Sequence, residues 1–261
     1  CFMIRGIFFD VDGTLISRKR SYISDSVIEA LKKLREKGIK LFIATGRHYI
    51  ELEKLGINKQ FTFDGYLTLN GGYCFNHKEA IYSNPINKDD VIRIVEYAIE
   101  HNLACSFVET DDMYLNKIDD LVIEAQIFLN TSLPLVKDIT RVLNNDIYQI
   151  DPFVTSDEIK NIMALTKHCK YTQWYEYGYD VIPKAGGKHE GIKAMLEYYG
   201  FDKSEIMAFG DGHNDIEMLM LAGIGVCMGN GHKEAKKVSD FITKSVDEDG
   251  IVTALDYFSL I

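Results

Sequence analysis

Short apolar runs recur along this chain, each stopping at a small polar cluster, with helix-spaced segments between them. Residues 4–9 form the first run, which stops at Asp10. Residues 24–37 follow, with Val27, Ile28, Leu31 and Leu34 at helical spacing, Ser24 as N-cap and Gly38 as stop. Residues 39–44 are a second run, ending in Thr45-Gly46-Arg47. A short helix to about Gly56 leads to a third run, residues 66–69, ending in Asn70-Gly71-Gly72. Parallel strands can be joined only by a crossover over a sheet face, so this alternation predicts an α/β fold with a parallel sheet and right-handed crossovers. The alternation returns late, with helices at 190–199, 215–221, 233–238 and 251–258 and strands at 205–209, 224–228 and 241–243.

The middle of the chain reads differently. Residues 88–101 are helical, with Val91, Ile92, Val95 and Ile99 on one stripe. Residues 103–108 and 113–115 read as strands around a turn, 119–130 as a helix, 147–154 as extended and 157–168 as a helix. Residues 170–176 and 179–183 read as a hairpin around Gly178. Strand alternation puts Tyr171, Gln173 and Tyr175 on one face of this hairpin and Thr172, Trp174 and Glu176 on the other. Such a block is a self-contained α+β unit inserted into the α/β domain. The expected domains are 1–83 with 184–261, discontinuous, and 84–183.

Composition narrows the function classes. With 29 Lys and Arg against 39 Asp and Glu, the formal charge is −10, which argues against a nucleic-acid partner. The longest weakly polar run, residues 218–229, is broken by glycines and falls short of the roughly 20 residues of a membrane span. No N-terminal stretch reads as a secretory signal, and Cys1 and Phe2 read as a remnant ahead of Met3. Cys1, Cys74, Cys105, Cys169 and Cys227 lack zinc or disulfide spacing, so reduced thiols in the cytoplasm are expected. The 7 histidines are dispersed without ligand spacing.

Ligands of open parallel sheets bind beyond the carboxyl ends of the strands, so the polar clusters there are candidate site residues. Asp10 and Asp12 lie two apart and crowd together, which calls for a cation or a proton. Asp211 and Asp215 come from a later strand end and complete an all-oxygen set suited to Mg²⁺ rather than zinc. Thr45 and Lys188 stand at further ends. Taken singly, Thr45 could be only a helix cap, Lys188 a solvated side chain, and Gly13, Gly46 and Gly210 turn formers. Four carboxylates at two strand ends, with Thr45 and Lys188 at others, favour a site.

Asp10-Val11-Asp12-Gly13-Thr14 resembles the first motif of the haloacid dehalogenase superfamily. Thr45 in Ala44-Thr45-Gly46-Arg47 is similar to its second motif, Lys188 in Gly187-Lys188-His189-Glu190-Gly191 to its third, and Gly210-Asp211-Gly212-His213-Asn214-Asp215 to its fourth. The Ala-Thr-Gly-Arg form, Asn70-Gly71-Gly72 and the insertion after the third strand resemble the Cof-type phosphatases with a C2B α/β cap. The resemblance implies a Rossmann-like core, with the cap laying one sheet face over the site. It implies Mg²⁺-dependent hydrolysis of a small-metabolite phosphomonoester through an aspartyl-phosphate. Asp10 would be the nucleophile and Asp12 the acid/base. Asp10, the Asp12 carbonyl and Asp211 would hold Mg²⁺, supported by Asp215. Thr45 and Lys188 would contact the phosphoryl group. Gly13, Gly46 and Asn214 would bind phosphate or substrate, and Arg47 and Asn70 would touch the substrate or brace the cap. Sugar, nucleotide-type, flavin and pyridoxal phosphates are all in range. The hairpin rings would touch the leaving group or form cap core. A phosphomutase, and a non-catalytic phospho-acceptor or binding module, are the alternatives.

Overall fold

The computed structural model describes residues 3–129 and 131–261. Expectations for Cys1, Phe2 and Asn130 lie outside the described residues. The chain forms two compact units, one of residues up to Ser83 together with Gly187–Ile261, the other of Asn84–Gly186.

The first unit opens with β1 (Gly6–Phe9), α1 (Asp25–Glu36), β2 (Lys40–Ala44), α2 (Tyr49–Lys54), α3 (Ile57–Gln60), β3 (Gly65–Thr68), β4 (Tyr73–Phe75) and β5 (Ala80–Ser83). The second unit contains α4 (Lys88–Glu100), β6 (Ala104–Val108), β7 (Met113–Leu115), α5 (Asp120–Leu129), β8 (Leu135–Val136), β9 (Gln149–Phe153), α6 (Ser156–Leu165), β10 (Cys169–Tyr175) and β11 (Gly178–Pro183). The first unit then resumes with α7 (Lys188–Tyr199), β12 (Ile206–Gly210), α8 (Ile216–Leu221), β13 (Ile224–Cys227), α9 (Lys233–Val238), β14 (Phe241–Ile242) and α10 (Gly250–Tyr257). Sequence reading did not anticipate α3, β4, β5 or β8, which are too short to show a period.

The first unit is an 8-stranded sheet in the order β14-β13-β12-β1-β2-β3-β4-β5. β14 through β3 pair in parallel, and β4 and β5 extend the edge antiparallel. Every residue of β1 is buried, as expected for a strand covered on both faces. One face packs Ile7, Phe9, Leu41 and Ile43 against Val27, Leu31 and Leu34 of α1 and Ile251 and Leu255 of α10. The other packs Phe8, Phe42 and Ala208 against Ile192 and Met195 of α7 and Met218 of α8. Phe8 stacks on Phe42 at 4.6 Å and Phe9 on Phe209 at 5.2 Å. Burying each ring contributes roughly 1.5–3 kcal/mol. Chain order reverses at β1, which has β2 on one side and β12 on the other. That is the switch point at which such sheets hold ligands. Ser24 occupies the N-cap of α1 but its hydroxyl meets Ser26 rather than a backbone N–H.

The second unit is a 6-stranded sheet in the order β10-β11-β9-β6-β7-β8. Val91 and Ile94 of α4 and Ile159 and Ile162 of α6 pack with Cys105, Phe107, Ile150, Tyr179 and Val181 on one face. Val122 and Ala125 of α5 pack with Ala104, Leu115 and Phe153 on the other. Helices therefore lie on both faces of this sheet. The alternation expected for the hairpin breaks at a register shift between Gln173 and Tyr175, a local bulge. Tyr175 consequently stacks beside Trp174 at 6.1 Å and rests on Phe128 at 4.5 Å, while Tyr171 meets Tyr179 at 5.7 Å on the opposite face. Trp174 and Tyr175 thus belong to the apolar cluster of their own unit.

A buried carboxylate ties α4 to the start of β10. Asp90 accepts from the backbone N–H of His168 at 2.7 Å and of Lys167 at 3.1 Å, and from the Cys169 thiol at 3.6 Å. Burial works to raise its pKa, but these donors hold it below the usual carboxylate range. Asp90→Asn removes the charge and turns an amide N–H toward donors, so a loss of about 1–3 kcal/mol is expected. Urea unfolding at neutral pH reads this, and an unchanged midpoint would mean the carboxylate is not holding the strand.

Candidate active site

The ends of β1, β2, β3 and β12 and the start of α7 converge, because parallel strands deliver their carboxyl ends to one edge. At the centre Lys188, 1% exposed, donates from Nζ to Asp10 Oδ1 and to Asp215 Oδ1, both at 2.6 Å. The second Asp215 oxygen, Oδ2, accepts the backbone N–H of Asp211 and of Gly212 at 2.8 Å each. Both Asp215 oxygens are therefore engaged in holding the loop after β12 and the lysine. Asp10, Asp211 and Asp215 offer carboxylate oxygens within 4.8 Å of one another.

The loop between β1 and α1 is shaped by Gly13. It sits at φ +82°, and a Cβ there would lie 2.2 Å from Asp211 Oδ2. Only glycine has both that freedom and that small size. Thr14 Oγ1 donates to Asp211 Oδ1 at 3.4 Å, and Asn230 Nδ2 donates to the Gly13 carbonyl at 2.8 Å. Thr14 and Asn230 were not singled out from the sequence. Asn230, in Gly229-Asn230-Gly231 just past β13, had the same cue as the others: a polar turn after a strand.

Asp12 departs from the simple expectation. Its carboxylate does not crowd against Asp10 but is 52% exposed and paired in two-pronged fashion with Arg47. Arg47 Nε meets Asp12 Oδ2 at 2.6 Å and Nη2 meets Oδ1 at 2.8 Å. Nη1 reaches Glu51 at 3.3 Å. Glu51 in turn accepts the His48 N–H at 3.0 Å, closing the start of α2. Each carboxylate of the Asp10-Asp12 pair thus has its own cation. The Asp12 side chain is no part of the three-carboxylate cluster, so only its backbone carbonyl remains for the expected metal role.

The β2 and β3 ends interlock. Thr45 is fully buried, and its Oγ1 accepts the Arg47 N–H at 3.1 Å, which leaves the hydroxyl proton to donate elsewhere. Asn70 N–H donates to the Thr45 carbonyl at 3.0 Å. Leu69, Asn70 and Gly71 all take left-handed φ, +54°, +53° and +80°. Asn and Gly tolerate this, whereas Leu69 carries about 1–2 kcal/mol of strain. The result aims Asn70 at Asn214, whose Nδ2 donates to Asn70 Oδ1 at 2.9 Å. Gly46 packs under Asn70, where a Cβ would lie 3.2 Å from its amide. His213 is exposed and its ring lies 3.8 Å from that of His232.

Charge in the centre is unbalanced. Three carboxylates face one lysine. Burial first, then Asp215, Asp211 and Asp12 against the opposing pull of Lys188, raise the Asp10 pKa. Burial and Asp215 push Asp211 up to about 7. Burial would lower the Lys188 pKa, but Asp10 and Asp215 overcome it and keep the lysine charged. An oxygen-only donor set with surplus negative charge fits a hard divalent cation.

This fold and site define a phosphoryl-handling hydrolase of the α/β class. The haloacid dehalogenase-like hydrolase family model matches residues 7–255. The Bacillus subtilis protein named "Putative phosphatase YkrA" is 34% identical over 98% of this chain and 98% of its own. The structure of the phosphatase BT1666 from Bacteroides thetaiotaomicron shares 33% identity over 99% of this chain and 96% of that one, with a TM-score of 0.91. The structure of the subclass IIB sugar phosphatase BT4131 shares 35% identity over 98% of this chain and 100% of that one, with a TM-score of 0.88. The chain belongs to the haloacid dehalogenase-like hydrolases, in their Cof-type branch, and is a phosphatase. No helix among the described residues is long and apolar enough to cross a membrane.

The raised Asp10 and Asp211 pKa values set a sign for metal and pH. Without a cation, their protonated forms favour the fold. That contribution is complete below the unfolded carboxylate value near 4 and is lost as pH rises through about 7 for Asp211. A bound cation offsets the repulsion that appears over this range. The rise in melting temperature on replacing EDTA with Mg²⁺ is therefore expected to be larger at pH 8 than at pH 5.5. An equal or smaller rise at pH 8 would remove the cluster as the metal site.

Proposed function

We propose that the protein is a Mg²⁺-dependent phosphomonoesterase for small soluble metabolites, working through a phosphorylated Asp10, with the Asn84–Gly186 unit as a C2B-type cap. The observation that carries this reading is Lys188 clamped between Asp10 and Asp215 with Asp211 beside them. Asp10, Asp211 and the Asp12 carbonyl would hold the cation, with Asp215 holding loop and lysine. When bound, the metal neutralises charge between carboxylate and phosphate and polarises the phosphoryl group.

Asp10 attacks phosphorus, forming the Asp10–phosphorus bond as the ester P–O bond breaks. Lys188 fixes the carboxylate through Oδ1 and adds positive charge. The Thr45 hydroxyl proton and Asn214 orient the phosphoryl oxygens. Asp12, protonated, gives its proton to the departing alkoxide. Then, as carboxylate, it takes a proton from water, which attacks phosphorus, releases inorganic phosphate and restores Asp10. An acid/base residue only two positions from Asp10 supports turnover over a lasting phospho-signal, because it would shorten the life of the acyl phosphate. The four described cysteines are buried thiols, consistent with action in a reducing cytoplasm. The likeness to the sugar phosphatase BT4131 supports sugar phosphates within the range, and an isomerised product in place of free phosphate would favour a mutase.

Asp10→Asn, nearly identical in shape, is expected to lower kcat more than a thousandfold while the melting temperature stays near that of the parent. Activity above that level would rule out Asp10 as nucleophile.

Arg47, on this geometry, positions Asp12 rather than gripping phosphate. Arg47→Ala should therefore depress kcat far more for an alkyl phosphate, whose leaving alkoxide needs a proton, than for p-nitrophenyl phosphate, whose phenolate does not. A rise in KM of equal size for both esters, with kcat kept, would instead make Arg47 a phosphate ligand.

A further inference from the structure

The turn after β13, Gly229-Asn230-Gly231, is built by close approach on both sides. A Cβ on Gly229 would lie 2.7 Å from the Ser245 backbone nitrogen, and one on Gly231 would lie 2.6 Å from Cys227 Sγ and 3.2 Å from Asp211 Cα. Only glycine fits at either place. Backbone bonds fix the turn further. Gly229 N–H donates to the Lys244 carbonyl at 2.9 Å, Gly231 N–H to the Met228 carbonyl at 2.8 Å, and His232 N–H to the Asp211 carbonyl at 2.7 Å. Asn230 is thus carried on a tightly held turn, packed against the residue that bears the Asp211 carboxylate.

Its side chain is exposed, yet the whole amide is engaged. Nδ2 donates to the Gly13 carbonyl at 2.8 Å and to Asp211 Oδ2 at 3.4 Å. Oδ1 accepts the Val246 N–H at 2.8 Å. Among side chains of this length only an amide offers two N–H donors and an acceptor together. Thr14 meets the other Asp211 oxygen, Oδ1, so both oxygens of that carboxylate are held. Gly13 is held at both ends as well: its N–H donates to the Ile16 carbonyl at 2.8 Å while its carbonyl takes Asn230. The peptide plane that contains the Gly13 N–H also carries the Asp12 carbonyl.

Folding alone does not call for this amide. At an exposed position water can satisfy the same groups, and substitutions there change stability little. What water cannot do is join three segments at fixed distances: the loop after β1, the loop after β12 and the turn ahead of α10. The first two supply the metal ligands proposed above. We infer that Asn230 is a positioning residue for the cation, setting the Asp211 carboxylate and the Gly13 peptide in place for it. The inference rests on the Mg²⁺ reading of the Asp10 and Asp211 cluster.

The test titrates Mg²⁺ against melting temperature, starting from EDTA, in the parent, Asn230→Ala and Asp247→Asn. Asp247 accepts from the Ser17 hydroxyl at 2.6 Å and so braces the same turn ahead of α10 without using Asn230. Groups that orient metal ligands are worth about 10- to 100-fold in affinity, so Asn230→Ala is expected to raise the Mg²⁺ midpoint about tenfold or more, and Asp247→Asn to leave it within about twofold. In EDTA the Asn230→Ala melt should stay within about 2–4 °C of the parent's. An unchanged midpoint in Asn230→Ala would overturn the inference. So would an equal rise in Asp247→Asn, which would assign the effect to a loosened turn. Asn230→Asp keeps an acceptor for the Val246 N–H and loses only the donors. Its kcat/KM for p-nitrophenyl phosphate at subsaturating Mg²⁺ should fall about tenfold, and an undiminished value also counts against Asn230. A parent whose melt ignores Mg²⁺ removes the metal reading and this inference with it, whereas a responding parent matched by Asn230→Ala removes the inference alone.

Discussion

The buried contact of Lys188 with Asp10 and Asp215 is the constraint on which the first unit's arrangement depends. Its three members come from the end of β1, the start of α7 and the turn before α8. Removing those charges from water is expensive, and the arrangement is tolerated because each ion is answered by another or by backbone N–H groups. Losing the lysine would leave buried carboxylates uncompensated, a penalty of about 3–5 kcal/mol in such settings. The contact thus couples assembly to the proposed chemistry: the strands must be in register for the charges to meet, and the charges that meet are those proposed to handle the phosphoryl group.

The same economy of strand geometry operates in the second unit with a different outcome. There the two-residue period sorts side chains between a helix-covered apolar face and a face that is polar over part of its width. Helix α5 covers one end of the latter face, over Ala104 and Phe153. Ser106 of β6, Asp151 of β9, Asp180 of β11 and Thr172 of β10, directly opposed in register, form a polar row beside that cover. A parallel sheet sealed on both faces could not offer such a row, and the first unit accordingly keeps its polar groups at strand ends.

Much of this was legible in the residues themselves. The apolar runs ending in Asp10, Thr45 and Gly210 marked the central strands, since a fully buried strand is a continuous apolar segment. Lys188 and Asp215 were legible as site residues but not as partners, because contacts across long sequence separations leave no local periodicity. The placement of Asp12 was not legible: spacing says that two carboxylates are near, not that Arg47 draws one of them outward. Tyr175 escaped for a similar reason, since a one-residue bulge reverses faces without altering composition. Asn70 and Leu69 carry a backbone conformation that only the tertiary bonds to Thr45 and Arg47 impose.

The chain leaves the first unit after β5 at Ser83 and re-enters at Gly187, the residue before α7. Departure and return are neighbours, for α7 packs on β4 and β5. To the first unit the whole insertion is one loop whose ends were already close. The entropy of closing such a loop grows only slowly, by about 0.6 kcal/mol for each doubling of length. The inserted unit can therefore lengthen, shrink or change its polar face with little thermodynamic consequence for Asp10 and Lys188. If the inserted unit is the cap proposed above, a lineage can keep one reaction centre and exchange what it accepts, because the two would be written on separately tunable stretches of the same chain.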